Sequence, residues 1–404
     1  MSTIKSQNPY TGKVINEYQL FDSNAIERAI FKTFEAQKKW TNLSIANRAE
    51  KLLKLASQIR QHKNSLAEII TLEMGKVTRE ALSEVEKCAW VCEYYAQNGE
   101  KFLSPEIVKT EYKKSFVAFN PLGVILAIMP WNFPFWQVFR AAAPIIMAGN
   151  TMILKHASNV SGCAIAIENL FLSSGFEPNT FTTILVKGNE MEGIIADKRI
   201  AAVTLTGSET AGISVASIAG QHLKKTVLEL GGSDPYIILE DANIEYAVEK
   251  CVTGRLLNAG QSCIGAKRFI VVDKIYNKFI ELFKNKMELV TTGDPFDNDT
   301  TYGPLANKSF RDELHQQVVK SIQLGAVNIL GGTEPDNETT LYQPTILTNV
   351  VSGMPAYEEE LFGPVASIIR AASEKDAIRI ANEKVAESEE NALVAEEILQ
   401  GGAQ

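Results

Sequence analysis

Val124–Ser158 reads VILAIMPWNFPFWQVFRAAAPIIMAGNTMILKHAS. A short apolar run, a turn rich in proline and aromatics, a helix-period stretch and a second apolar run follow in order. Short, continuous apolar runs suit strands buried on both faces. Further β-rich runs come at Phe181–Val186, Ala202–Leu205 and Thr226–Glu229, and the helix-like stretches between them end near Ala148, Ser173, Ala196 and Ala219. Repeated strand–helix–strand units predict a parallel sheet with helices on both faces. Such sheets bind ligands at the carboxyl ends of their strands.

Working outward, Asn24–Leu103 shows the three-to-four-residue apolar spacing of long amphipathic helices. Glu111–Asn120 (EYKKSFVAFN) alternates, as a short strand arm would. Downstream a second α/β run begins with a strand near Phe269–Val272. Helices follow at Ile275–Leu289 and Asn307–Leu324, then strands near Val327–Leu330 and Gln343–Leu347. The final stretch, KVAESEENALVAEEILQGGAQ, reads as a solvated helix or a loose tail.

The 404 residues are 45% hydrophobic and 22% charged, which suits two or three globular domains. A net charge of −8 without a basic stripe argues against nucleic acid. No apolar run approaches membrane-spanning length, and the N-terminus lacks a signal-peptide core. Five unevenly spaced cysteines make no disulfide framework, so the expectation is a cytoplasmic protein with reduced thiols.

Three segments carry chemistry. In Asn258-Ala-Gly-Gln-Ser-Cys263 a cysteine follows a turn of glycine and amides, where substrate and backbone N–H groups can reach it. Its thiolate is a candidate covalent nucleophile; the competing explanation is a small core filler. Cys88, Cys92, Cys163 and Cys251, all in helix-like stretches, fit that second role, and two thiols four apart make a poor metal site. In Leu228-Glu229-Leu230-Gly231-Gly232 a carboxylate ends a strand expected to be buried. Desolvation there would suit Glu229 to general-base work, though a helix cap or a lysine partner would also explain it. In Pro130-Trp131-Asn132-Phe133-Pro134 the Asn132 amide can donate to a developing oxyanion, unless the segment is only a packed aromatic turn.

Together these segments resemble the aldehyde dehydrogenase family. Thr206-Gly207-Ser208 with Gly212, Glu360-Leu-Phe-Gly-Pro364 and Glu73-Met-Gly-Lys76 extend the match in family order, and Glu229 precedes Cys263 by 34 residues (229 to 263). The resemblance implies an α/β aldehyde dehydrogenase fold: a Rossmann-like NAD(P)-binding domain over 1–104 and 121–228, a small β oligomerisation arm over 105–120, and a catalytic domain over 229–383. It also implies a homo-oligomer and no metal. Cys263 would attack the aldehyde carbon, with the Asn132 side chain and the Cys263 backbone N–H holding the oxyanion. Transfer to the nicotinamide would leave a thioester, and Glu229 would activate the water that hydrolyses it. Glu360 would hold the nicotinamide ribose with Phe362 near the ring, and Lys155 the adenosine ribose. Gly207 and Ser208 would open a helix toward the pyrophosphate, and Ile128, Trp131 and Leu230 would line the cofactor. Family members that transfer the acyl group to coenzyme A generally lack the Glu229 counterpart, so a carboxylic acid product is implied.

Strongly NAD-selective members carry a glutamate where this chain has Ser158. Its absence removes a charge that would repel a 2′-phosphate, so NAD, NADP or both remain open; a cap or plain turn explains a serine equally. Arg140 lies eight residues beyond Asn132 on the following helix, and succinate semialdehyde dehydrogenases carry an arginine there. A guanidinium suits a distal carboxylate, with an ordinary salt bridge as the alternative. A second arginine found six residues before the nucleophile in some relatives is Leu257 here.

Beyond Asn382 the resemblance stops: the rest of the family's catalytic domain and its last strand are not recognisable, and 384–404 is an atypical tail. That leaves two expectations of different class. One is a working enzyme for succinate semialdehyde. The other is a weakly active or inactive relative that binds dinucleotide or serves as a structural subunit.

Overall fold

A computed structural model describes residues 2–336 and 339–383. The chain divides into two compact units, the first Met1–Leu230 with Pro295–Asn298, the second Gly231–Asp294 with Asp299–Gln404. The atypical tail lies outside the described residues.

The first unit opens with an antiparallel hairpin, β1 (Thr3–Gln7) and β2 (Val14–Gln19). Four helices follow: α1 (Ser23–Trp40), α2 (Ile45–Gln61), α3 (Lys63–Met74) and α4 (Thr78–Leu103). Asp22 and Ser44 cap α1 and α2 through their side chains, supplying acceptors for N–H groups the first turn leaves unpaired. The alternation at Glu111–Asn120 forms less strand than expected: only β3 (Glu106–Ile107) and β4 (Phe116–Val117) pair, around polar residues that turn.

Then come β5 (Val124–Met129), α5 (Trp136–Met147), β6 (Thr151–His156), α6 (Ser161–Ser173), β7 (Phe181–Thr183), α7 (Met191–Ala196), β8 (Ile200–Gly207), α8 (Glu209–Gln221) and β9 (Lys225–Leu230). The five strands from β5 to β9 are all parallel, in the order β7-β6-β5-β8-β9. Side chains of α1, α7 and α8 join Val124, Leu126, Ile153, Val203 and Leu205 in one core. Helices α5 and α6 pack on β5, β6 and β7, where Phe139, Phe171 and Phe181 stack. The chain runs from β5 to β7 on one side, then returns to place β8 and β9 on the other. That reversal beside β5 is a topological switch point.

In the second unit β10 (Pro235–Ile238), α9 (Ile244–Leu256), β11 (Arg268–Val272), α10 (Asp273–Met287), α11 (Lys308–Gln323), β12 (Val327–Leu330), β13 (Thr345–Thr348), α12 (Pro355–Glu358) and β14 (Val365–Ala371) follow in order. Their sheet runs β10-β11-β14-β13-β12, with β12 antiparallel and the rest parallel. Its core includes Phe269, Phe279, Phe283, Ile368 and Val365, all fully buried.

Candidate active site

In the first unit the candidate residues gather at the carboxyl ends of the strands. After β5 comes the turn with Trp131 and the buried Asn132. Glu84 from α4 holds the exit of that turn, accepting from the backbone N–H groups of Phe135 and Trp136 at 2.9 Å each. Lys76 pairs with Glu84, both buried, and its ammonium lies 3.8 Å from the Phe133 ring centroid. His156, at the end of β6, donates from Nε2 to Pro134 O at 2.8 Å and accepts at Nδ1 from Ala157 N–H at 2.9 Å. Burial pulls its pKa down to about 4, so the ring is neutral at physiological pH and the tautomer is set by those bonds.

Lys155 sits opposite Ile128 in the β5–β6 register, and burial holds its ammonium below the usual lysine range. Ser158 starts a single 3₁₀ turn rather than capping α6. Ser208 caps α8, its hydroxyl accepting from Ala211 N–H at 3.3 Å. The open first turn of α8, at the end of β8, offers N–H groups and a positive dipole end. These residues fit a dinucleotide: N–H groups for phosphate, a lysine for ribose, and no carboxylate at position 158.

Glu229 departs from expectation. It stands on the edge strand β9, most of whose residues are exposed, and its side chain is 50% exposed. Flanking leucines do not bury a residue when one strand face and one edge lack a neighbour. Its partner is Arg140, whose Nη1 lies 3.0 Å from Glu229 Oε2 while Nη2 donates to Thr206 Oγ1 at 3.1 Å. Thr206 and Glu229 are register partners across β8 and β9, so one guanidinium spans two strand ends. Leu230 pairs with Gly207 one step further on.

In the second unit the candidates lie at the amino ends of the strands. Before β11 the backbone winds left-handed through Asn258 (φ 54°), Ala259 (φ 54°) and Gly260 (φ 74°). Only glycine adopts that region without steric strain. Asn258 Nδ2 donates to Gln261 O, Gln261 Nε2 to Asn258 O, and Ala306 N–H to Gln261 Oε1. A Cβ on Gly260 would meet Gly363 O at 2.1 Å, which no side chain can do. The turn closes by Gly265 N–H donating to Ser262 O at 3.1 Å, with Cys263 at its tip. Cys263 is half-buried, whereas Cys88, Cys92, Cys163 and Cys251 are buried.

Before β14 lies the Glu360-Leu-Phe362 segment. Glu360 pairs with Lys267 at 2.6 Å, and a Cβ on Gly231 would sit 2.1 Å from its Oε2. Lys267 also donates to Gly232 O at 2.5 Å and to Cys263 O at 2.6 Å. Sequence reasoning missed this lysine, whose three partners lie far apart in the chain. The order Cys-Ile-Gly-Ala-Lys, a cation after a tight turn, was the available signal.

A doubly wound parallel sheet with an open helix end at its switch point suits dinucleotide binding, and family membership makes the chain an NAD(P)-dependent oxidoreductase. The chain belongs to the aldehyde dehydrogenase family, whose model matches residues 1–386. It is 44% identical over 380 residues to the probable succinate-semialdehyde dehydrogenase [NADP(+)] of Synechocystis, covering 94% of this chain and 84% of that one. Against the succinate-semialdehyde dehydrogenase [NADP(+)] of Mycobacterium leprae it is 43% identical, with the same coverage. The succinic semialdehyde dehydrogenase of Streptococcus pyogenes, solved with NADP+, superposes with a TM-score of 0.92 at 36% identity, over 94% of this chain and 84% of that one.

Proposed function

We propose that this enzyme oxidises succinate semialdehyde to succinate with NADP+ or NAD+ through a thioester on Cys263. The observation that carries the substrate assignment is Arg140, a partly exposed guanidinium at the carboxyl ends of the strands that already engages a carboxylate. A substrate carboxylate has the same geometry and charge as the Glu229 side chain it would replace. The relatives named for this substrate support the same choice, and favour an enzyme over an inactive dinucleotide-binding or structural subunit.

The Cys263 thiolate adds to the aldehyde carbon, and the oxyanion is held by the Asn132 amide and the Cys263 N–H. When bound, nicotinamide would supply the acceptor for the hydrogen and electron pair that the carbon must lose for the acyl group to remain on Sγ. Glu229 then takes a proton from water, the oxygen attacks the acyl carbon, and the thiolate leaves. Lys155, Ser158, Gly207, Ser208 and Glu360 would hold the dinucleotide, with Ile128, Trp131, Leu230 and Phe362 lining it. The domain assignment read from the sequence, a location in the cytoplasm and a homo-oligomer built through 105–120 belong to the same proposal. Ile107, Tyr112, Phe116, Val117 and Phe119 are exposed around that hairpin, and among the described residues no helix is long and apolar enough to cross a membrane.

The test is reduction of NADP+ or NAD+ at 340 nm with succinate semialdehyde. Wild type should turn over, and Cys263→Ala should bind the cofactor without turnover. Cofactor binding without turnover in the wild type would decide for the inactive relative.

A further inference from the structure

An ammonium carries three N–H donors and no acceptor. Lys267 donates to Gly232 O and Cys263 O and ion-pairs with the Glu360 carboxylate, all within 2.6 Å, from a side chain that is 1% exposed. Burial lowers its pKa and the Glu360 charge opposes that shift. The second flank of the cysteine turn is also held by a cation: Arg255 Nη2, fully buried, donates to Gly260 O at 2.6 Å.

We propose that Lys267 is a positioning residue for the nucleophile, fixing the Cys263 turn through its carbonyl and tying it to Gly232 and Glu360. Cys263 occupies the first corner of a tight turn, so anchoring its carbonyl sets the rotation of the peptide that follows. Without that anchor the turn can rock about the left-handed segment before it, and both the thiol and the Cys263 N–H move with it. Small displacements of a reacting atom lower rates steeply, while the grip on the rest of the substrate is unaffected. The inference rests on Cys263 being the nucleophile.

The experiment uses the full chain, with iodoacetamide alkylation of Cys263 followed by mass spectrometry alongside steady-state kinetics. Lys267→Met should change the alkylation rate by at least about tenfold. It should lower kcat about 100-fold and leave the aldehyde KM within about threefold. Glu360→Gln, which keeps both carbonyl bonds of Lys267, should leave the alkylation rate within about twofold of wild type. Lys267→Met within about twofold of wild type in both readouts would overturn the proposal. So would an equal change in alkylation for Glu360→Gln, since Lys267 would then only neutralise a carboxylate. Should Lys267→Met fail to fold, the Lys267→Met/Glu360→Gln pair leaves no unpaired charge. Its alkylation rate should depart from that of Glu360→Gln alone, and equality would overturn the proposal. A fully active Cys263→Ala, by contrast, would sink the nucleophile assignment beneath it.

Discussion

The two units arrange their chemistry at opposite ends of their strands, and the charges follow. In the first unit, at the carboxyl ends and around the helices they feed, buried carboxylates answer N–H groups. Glu84 takes those of Phe135 and Trp136, and Glu73 those of Gly162 and Cys163. In the second unit, at the amino ends, buried cations answer carbonyls. Arg255 takes Gly260 O, Lys267 takes Gly232 O and Cys263 O, and Arg268 takes Ser233 O and Ile380 O. Chain entering a helix presents donors, which is where the N–H groups of Trp136, Gly162 and Cys163 lie. Against this pattern Glu229 stands apart, a carboxylate at a strand end that is exposed and held by a side chain.

The largest effect should come from that exception. Glu229→Gln should lower kcat about 10²- to 10⁴-fold with little change in thermal stability; a mild loss of rate would return Glu229 to the structural carboxylates. Next, Glu84→Ala strands the buried Lys76 and two N–H groups, and should destabilise by about 3–5 kcal/mol in denaturant unfolding. Were it tolerated within about 1 kcal/mol, buried carboxylates would not be what holds the first unit's helix entries.

His156 sharpens the comparison through pH. Its folded pKa is depressed to about 4 by burial, while the unfolded imidazole takes a proton near 6.5. Between those values the unfolded state binds the extra proton, so stability falls as pH drops, by roughly 1.4 kcal/mol per unit. The effect is complete below about 4. His156→Gln should flatten that part of the stability–pH curve, and an unchanged slope would mean the ring is not what links the β6 end to Pro134. The smallest effect belongs to Arg140→Ala. It should raise KM about 10- to 100-fold for succinate semialdehyde, as loss of a charged hydrogen bond does, but hardly for butanal. Equal effects on both aldehydes would remove the carboxylate assignment.

Legibility in the sequence followed burial. Strands β5, β6 and β8 were readable because each is mostly buried around a short apolar run. The β1–β2 hairpin, TIKSQ with VINEYQ, left no such trace, being polar and mostly exposed. Helix α9 was read only as a helix-like stretch around Cys251, without bounds, because IEYAVEKCVTGRL has a weak apolar stripe, and β14, VASIIRA, was passed over because it follows the Glu360 segment without its own strand–helix rhythm. At the site, Cys263, Asn132, Glu360 and Ser208 could be picked from local motifs. The exposure of Glu229 could not, because an edge position depends on which strand lies beside it. Helical counting placed Arg140 on α5, but not against the ends of β8 and β9. Lys267 was missed for the same reason, its contacts existing only once residues 232, 263 and 360 meet.

The left-handed passage through Asn258 and Ala259 has a consequence for anyone who reshapes this protein. Glycine in place of Ala259 would relax the backbone at no cost in side-chain bonds, so a screen for heat tolerance would drift toward it. The gain would come from slackening the segment that aims the thiol. Variants selected only for survival at high temperature would then arrive sturdier and slower, with nothing in their melting curves to warn of it.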